Sequence, residues 1–167
     1  MYRIGKEEIE AVRRVMESKK IFRYGIGGEC TRFEERYADY VGSKHCVMTA
    51  SGTNSLTAAL MALEIGPGDE VIVPACTYMA TPIAVLAAGA IPVIADIDDT
   101  VTLDPKALEA TIGPRTKAVI PVHMWGLPCN MDAIMAVARK AGIYVVEDAC
   151  QGVGGAYEGR MLGSIGD

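Results

Sequence analysis

Two short segments carry groups that could do chemistry. Glu147 to Gln151 (Glu-Asp-Ala-Cys-Gln) closes an apolar run that we predict to be a strand, and it places the Asp148 carboxylate at the strand end. Ser51 to Ser55 (Ser-Gly-Thr-Asn-Ser) opens a run that we predict to be a helix. Backbone N–H groups at a helix start, here those of Gly52 and Thr53, are well suited to bind a phosphate group.

Three further side chains follow predicted strands and could meet the same ligand. Tyr78 could stack on a flat ring, and Gln151 could reach an oxygen on that ring. His123 could face the same cleft, while Asp148 could pair with a protonated ring nitrogen. Each residue also has an ordinary structural explanation. The tyrosine could pack in the core, and the glutamine could be a surface amide. The aspartate could cap a turn, and the histidine could have a structural role. Together they favour a site for pyridoxal 5′-phosphate (PLP).

Apolar runs and helical runs alternate along most of the chain. Two N-terminal helices are predicted over 6–18 and 29–41, joined by a glycine-rich link over 24–28. Strands are predicted over 45–49, 70–74, 91–95, 117–122 and 143–147, and helices over 52–64, 77–88, 104–111 and 131–140. This alternation predicts an α/β fold with a mainly parallel, doubly wound sheet. We expect residues 1–28 to form an N-terminal helix and link, and residues 29–167 to form part of a ligand-binding domain.

Composition narrows the class of protein. The chain has 167 residues, half of them hydrophobic, and a net charge of −5 without a charged block. This gives no support to nucleic-acid binding, and no apolar run is long enough to span a membrane. The five cysteines form no Cys-x-x-Cys pair. Reduced thiols in a cytoplasmic protein are therefore expected, with neither a disulfide framework nor a zinc site.

Seven short motifs, taken in their order along the chain, indicate the protein family more specifically than composition does. These motifs are Ser51–Asn54, Gly66–Pro74, Thr77–Thr81, Pro114–Ala118, Pro121–His123, Asn130–Ile134 and Glu147–Gln151. In this order they resemble the DegT/StrS-type aminotransferases of the fold-type-I PLP superfamily, many of which act on nucleotide-linked keto-sugars.

The resemblance implies a role for each matching position. Gly52 and Thr53 would hold the cofactor phosphate, and Tyr78 would stack on the pyridine ring. Asp148 would pair with the ring nitrogen, and Gln151 would lie near the phenolic oxygen. The resemblance also implies an amino donor such as glutamate or glutamine, a keto-sugar or nucleotide-sugar acceptor, and a homodimer with active sites at the subunit interface.

One element of the family pattern has no match. The family binds the cofactor aldehyde through a lysine that follows the segment matching Gly163–Asp167, and no lysine follows Lys140 here. We expect a large domain that stops before this lysine and before the small C-terminal domain, and no transaminase turnover by the chain alone. Three alternatives stay open: a non-catalytic PLP- or phosphate-binding module, a related sugar dehydratase with histidine at the lysine position, and a truncated fragment without activity. The sugar, its nucleotide carrier and the pathway also stay open.

Overall fold

The computed structural model describes residues 4–22 and 28–167, and contacts divide the chain into two units, residues 1–48 and residues 49–167. Most of the predicted glycine-rich link, residues 24–27, lies outside the described residues. The predicted domain boundary after residue 28 stays a prediction. Among the described helices, none has both the length and the apolar character needed to cross a bilayer.

The first unit contains the two predicted helices, α1 (Lys6–Ser18) and α2 (Glu29–Val41). The apolar residues of α1 recur at helical spacing and are exposed, as Ile9, Val12 and Met16 show. Gly42 caps α2 directly after its last residue, and its φ of 76° is the left-handed conformation that favours glycine after a helix. Both helix predictions are confirmed.

The second unit contains the sheet that positions the candidate site. Its elements are α3 (Gly52–Ala62), β1 (Glu70–Pro74), α4 (Ala80–Ala87), β2 (Ile91–Ala95), α5 (Pro105–Thr111), β3 (Thr116–Val119), α6 (Met131–Ala141) and β4 (Tyr144–Val145), then a short hairpin of β5 (Ala156–Tyr157) and β6 (Arg160–Met161). The first four strands pair in parallel in the order β2-β1-β3-β4. The predicted α/β fold with a parallel sheet is confirmed.

The central strand β1 is buried on both of its faces. Alternate residues of β1 belong to two different apolar clusters, Ile72 to one and Val71 and Val73 to the other. The first cluster includes Leu108 of α5 and Ile134 and other residues of α6. The second cluster includes residues of α3 and α4. Because successive side chains of a strand point to opposite faces, helices covering both faces of β1 explain why this strand is apolar from Val71 to Pro74.

Several predicted elements differ in the structure. Strands β3 and β4 are shorter than the predicted 117–122 and 143–147, and α3 ends at Ala62 rather than at residue 64. Residues 45–49 form no strand, because a strand needs a neighbouring ladder and none of the described strands pairs with this segment. Helix α4 begins at Ala80 rather than at Thr77. Pro82 accounts for the later start, since proline fits the first turn of a helix but disrupts its interior. The sheet therefore has four parallel strands instead of the five predicted.

Strand pairing continues past the named ends of β3 and β4. The Asp148 N–H donates to the Pro121 carbonyl at 2.9 Å, and the His123 N–H donates to the Asp148 carbonyl at 3.1 Å. Val122 and Asp148 form an isolated parallel bridge. These bonds fix the backbone of Asp148 at the carboxyl edge of the sheet, where ligands of such sheets bind.

The last residues pair with the outer edge of β4. The Val145 N–H donates to Asp167 Oδ2 at 2.9 Å, and the Val145 carbonyl accepts from the Asp167 N–H at 2.9 Å. A Cβ atom at Gly166 would lie 2.5 Å from the Val145 carbonyl oxygen. Only glycine can therefore let the two backbones approach this closely.

We expect Gly166→Ala to lower the free energy of unfolding by about 1–3 kcal/mol, the usual cost of overpacking. Urea unfolding measures the change. Gly113→Ala is the matched control, because a Cβ there would make an ordinary 3.7 Å contact with Glu70. Equal unfolding midpoints for the two variants would contradict this account of the β4 edge.

Candidate functional site

A cleft of about 220 Å³ lies at the carboxyl edge of the sheet. Its walls come from the start of α3, the loop after β1, the chain after β3 and the segment after β4. The lining residues are Gly52, Thr53, Leu56, Thr77, Tyr78, Ala80, Val122, Asp148, Cys150 and Gln151. Five of the six site residues predicted from the sequence thus line one cleft. Among residues 4–22 and 28–167, no cluster of His, Cys, Asp and Glu could hold a metal ion.

The start of α3 provides unpaired backbone donors. Ser51 is extended (φ −163°) and caps the helix, its hydroxyl accepting from the Asn54 N–H at 3.2 Å. The N–H groups of Gly52 and Thr53 have no hydrogen-bond partner within the described parts of the chain. A Cβ at Gly52 would meet no atom within 4 Å, so the space beside it is open. An anion could therefore approach both N–H groups and the positive end of the helix dipole.

The carboxylate of Asp148 is half-buried and held on both oxygens. Oδ2 accepts from the Thr81 hydroxyl at 2.9 Å, and Oδ1 accepts from the Cys150 N–H at 3.2 Å. An ionised carboxylate can accept about four hydrogen bonds, so acceptor capacity is left for a donor in the cleft. Asp148 can therefore receive an N–H from a protonated ring.

Tyr78 and Gln151 present their side chains to the cleft in different ways. The tyrosine is 72% exposed, although its ring is large and mostly apolar, so a flat ligand could cover it. The Gln151 Oε1 atom accepts from the backbone N–H of Trp125 at 2.8 Å. Because the amide oxygen is occupied, the NH₂ group of Gln151 is the part left to donate to a ligand.

His123 does not line the cleft. Its imidazole is fully buried, and Nδ1 accepts from the Cys129 N–H at 3.1 Å. An accepting Nδ1 carries no proton, so the proton is on Nε2, which donates to Glu147 Oε2 at 2.9 Å. Both ring nitrogens are thus used in the interior, and the structural alternative for this residue fits the geometry.

Glu147 is a buried carboxylate with four donors around it. Its side chain is 3% exposed and accepts from His123 and from the N–H groups of Gly163, Ile165 and Gly166. Burial by itself raises the pKa of this carboxyl, but the hydrogen bonds from His123 and the three backbone groups outweigh it and leave the pKa below the ordinary 4.5. Glu147 is therefore ionised in the folded protein and ties the last residues to the sheet.

Neither Thr81 nor Glu147 was predicted to have a role, although both lie in motifs that carry the family resemblance. The spacing of Thr77 and Thr81 offered a signal, because residues four apart lie on the same face of a helical turn. For Glu147 the signal was strand alternation. If Asp148 points to the cleft, its neighbour must point away from it.

Comparison with known proteins gives the same family as the sequence motifs. The family model described as the DegT/DnrJ/EryC1/StrS aminotransferase family matches residues 2–167. The chain is 49% identical over 157 residues to the UDP-2-acetamido-2-deoxy-3-oxo-D-glucuronate aminotransferase of Pseudomonas aeruginosa, covering 93% of this chain and 43% of that protein.

Solved structures match the fold closely. An aminotransferase from Psychrobacter cryohalolentis superposes with a TM-score of 0.94 at 41% identity, over 98% of this chain and 42% of that one. A Bacillus subtilis protein solved with bound cofactor PMP, the amine form of PLP, gives a TM-score of 0.84 at 35% identity, over 95% of this chain and 37% of that one. The chain thus spans less than half the length of these relatives.

We expect Glu147→Gln to lower the free energy of unfolding at pH 7 by about 1–3 kcal/mol. The amide NH₂ would then face two donors, His123 Nε2–H and the Gly163 N–H, from which Oε2 now accepts hydrogen bonds. Glu109→Gln, at an exposed ion pair with Lys140, is the control and should leave the free energy of unfolding close to the wild-type value, because solvent screens this pair.

The pH dependence has a definite sign. Because the folded pKa of Glu147 lies below 4.5, its contribution is complete above pH 4.5 and is lost as the pH falls through the folded value. Urea unfolding at a series of pH values should show wild type and Glu147→Gln converging on acidification. A constant difference at every pH would contradict the assignment.

Proposed function

Because the chain belongs to the DegT/DnrJ/EryC1/StrS aminotransferase family, we propose that the whole protein is a PLP-dependent aminotransferase. It moves an amino group from glutamate or glutamine to a keto-sugar, often one linked to a nucleotide. The observation that carries the proposal is the cleft itself. There, an anion-binding helix start, a held carboxylate and an exposed aromatic ring lie around one space.

The donor set fits the cofactor group by group. The unpaired N–H groups of Gly52 and Thr53 suit a phosphate. Asp148 suits a protonated ring nitrogen, Tyr78 suits the ring face, and the NH₂ group of Gln151 suits an oxygen on the ring. When bound, PLP supplies an electron-withdrawing ring that makes the hydrogen on the amine-bearing carbon of a substrate acidic.

The residues of the chain have distinct tasks in this proposal. The start of α3 binds and orients the cofactor phosphate. Tyr78 covers one face of the cofactor ring and excludes water from it. Asp148 holds a proton at the ring nitrogen through its negative charge. None of the seven lysines, all within the described ranges, lines the cleft. These residues alone are therefore proposed to bind the cofactor without turning over substrate.

We also propose a homodimer, as the family resemblance implies. In its support, several large apolar side chains of the second unit are exposed, including Met61, Met79, Leu86 and Ile94. Exposed apolar residues of this size favour contact with another protein surface.

The phosphate role is tested most sharply by Gly52→Pro. Proline is well tolerated at the first position of a helix, and Ser51 before it already has the extended backbone that proline requires. The change therefore removes one phosphate-binding N–H and keeps the helix. We expect the dissociation constant for PMP, measured by calorimetric titration, to rise about tenfold.

The controls separate phosphate binding from other effects. PMP has no aldehyde and cannot form an imine with surface lysines. Gly52→Ala also adds a Cβ but keeps the N–H, so it should bind PMP more tightly than Gly52→Pro. Pyridoxamine, which lacks the phosphate, should bind Gly52→Pro and wild type equally. A wild-type chain that binds PMP no better than pyridoxamine would contradict the proposed phosphate site.

Asp148→Asn removes the charge at nearly constant shape. We expect PMP affinity to fall at least about tenfold, since a hydrogen bond between charged groups is worth about 1.5–3 kcal/mol. Asp104→Asn is the matched control, because Asp104 caps α5 and asparagine caps equally well. Unchanged affinity in Asp148→Asn would remove this residue from the proposed site.

A further inference from the structure

A chain of two hydroxyl groups leads from the loop after β1 to the carboxylate of Asp148. Thr81 lies in the first turn of α4 and is fully buried. Its hydroxyl donates to Asp148 Oδ2 at 2.9 Å, and it lies 2.8 Å from the hydroxyl of Thr77. The two threonines flank Tyr78 and are 67 and more residues away from Asp148 in the sequence.

The direction of these hydrogen bonds follows from proton counting. An ionised carboxylate has no proton to give, so the single hydroxyl proton of Thr81 must point to Asp148. Thr81 can then only accept from Thr77. The Thr77 hydroxyl proton has two acceptors in reach, Thr81 Oγ1 at 2.8 Å and the Tyr78 carbonyl at 3.3 Å, and the shorter contact completes the chain. Each bond in such a chain polarises the next, which strengthens the bond to the carboxylate.

This arrangement restrains the orientation of Asp148 more than its backbone does. The pairing of Asp148 with Pro121 and His123 fixes the main chain. Main-chain hydrogen bonds do not by themselves select among the staggered side-chain rotamers. The Cys150 N–H holds only Oδ1, at a longer 3.2 Å. The Thr81 hydroxyl is the side-chain contact that holds Oδ2.

We propose that Thr81 is a positioning residue for Asp148, holding its carboxylate toward a ring nitrogen in the cleft, with Thr77 orienting the Thr81 hydroxyl. This inference rests on the proposed function for the identity of the ligand. The restraint on the carboxylate is a property of the chain and can be measured without a ligand.

The test compares three variants. Thr81→Val replaces the hydroxyl with a methyl group of similar volume, and Thr81→Ser keeps the hydroxyl. Thr102→Val is the matched control, because Thr102 is also buried and its hydroxyl also pairs with a threonine, Thr100, at a different site. Urea unfolding first identifies which variants fold.

Crystal structures of the ligand-free variants give the first readout. We expect the Asp148 carboxylate to change its side-chain rotamer in Thr81→Val and to keep it in Thr81→Ser and Thr102→Val. A carboxylate that keeps its orientation in folded Thr81→Val overturns the proposal. If Thr81→Val does not fold, Thr77→Val takes its place, since it removes the donor to Thr81 from a half-buried position.

PMP binding gives the second readout. Thr81→Val should lower affinity about threefold to tenfold, and the same change in the Asp148→Asn background should have little further effect, because both act through one contact. If Thr81→Val lowers PMP affinity by the same factor in the wild-type and Asp148→Asn backgrounds, the proposal is overturned. If wild type binds no PMP, the proposed cofactor site fails, and the crystal structures alone decide the role of Thr81.

Discussion

The parallel pairing that continues past β3 and β4 is the constraint on which both the site and the C-terminal packing depend. It fixes two adjacent carboxylates, and because neighbouring side chains of an extended segment point to opposite sides, they enter different environments. Glu147 enters the interior and meets His123 and three backbone N–H groups. Asp148 enters the cleft, where it retains acceptor capacity. One pair of backbone hydrogen bonds thus places one acid in the interior and the other in the cleft.

The interior half of this arrangement stabilises the edge of the sheet. A buried charge is costly unless donors surround it, and Glu147 has a donor for each of its main acceptor directions. Three of these donors come from the segment after β6, so the carboxylate holds this segment against β4, where Val145 also pairs with Asp167. The close approach at Gly166 belongs to the same packing. The cleft residue Asp148 is therefore supported by a buried network around Glu147, its neighbour in sequence.

The sequence predicted those parts of the fold that depend on local pattern. The helix starts predicted at residues 52 and 104 were right to within one residue, since a capping side chain, Ser51 or Asp104, stands at each, and strands β1 and β2 were placed correctly. The strand predicted over residues 45–49 was wrong. Strand pairing needs two segments, and the apolar pattern of one segment does not show whether a partner lies beside it. His123 could be placed at a strand end from the sequence. Its inward direction depends on Cys129 and Glu147, which only the tertiary structure brings to it. The role of Thr81 is non-local for the same reason.

The cleft joins these elements into one chemical proposal, with phosphate at the α3 start, an aromatic face at Tyr78 and a held negative charge at Asp148. The most direct test is a crystal structure of the chain with PMP. The account predicts the phosphate on the N–H groups of Gly52 and Thr53, the ring against Tyr78, and the ring nitrogen within hydrogen-bond distance of the Asp148 carboxylate. A fully ordered PMP bound elsewhere, or bound here with its ring nitrogen turned away from Asp148, would contradict it.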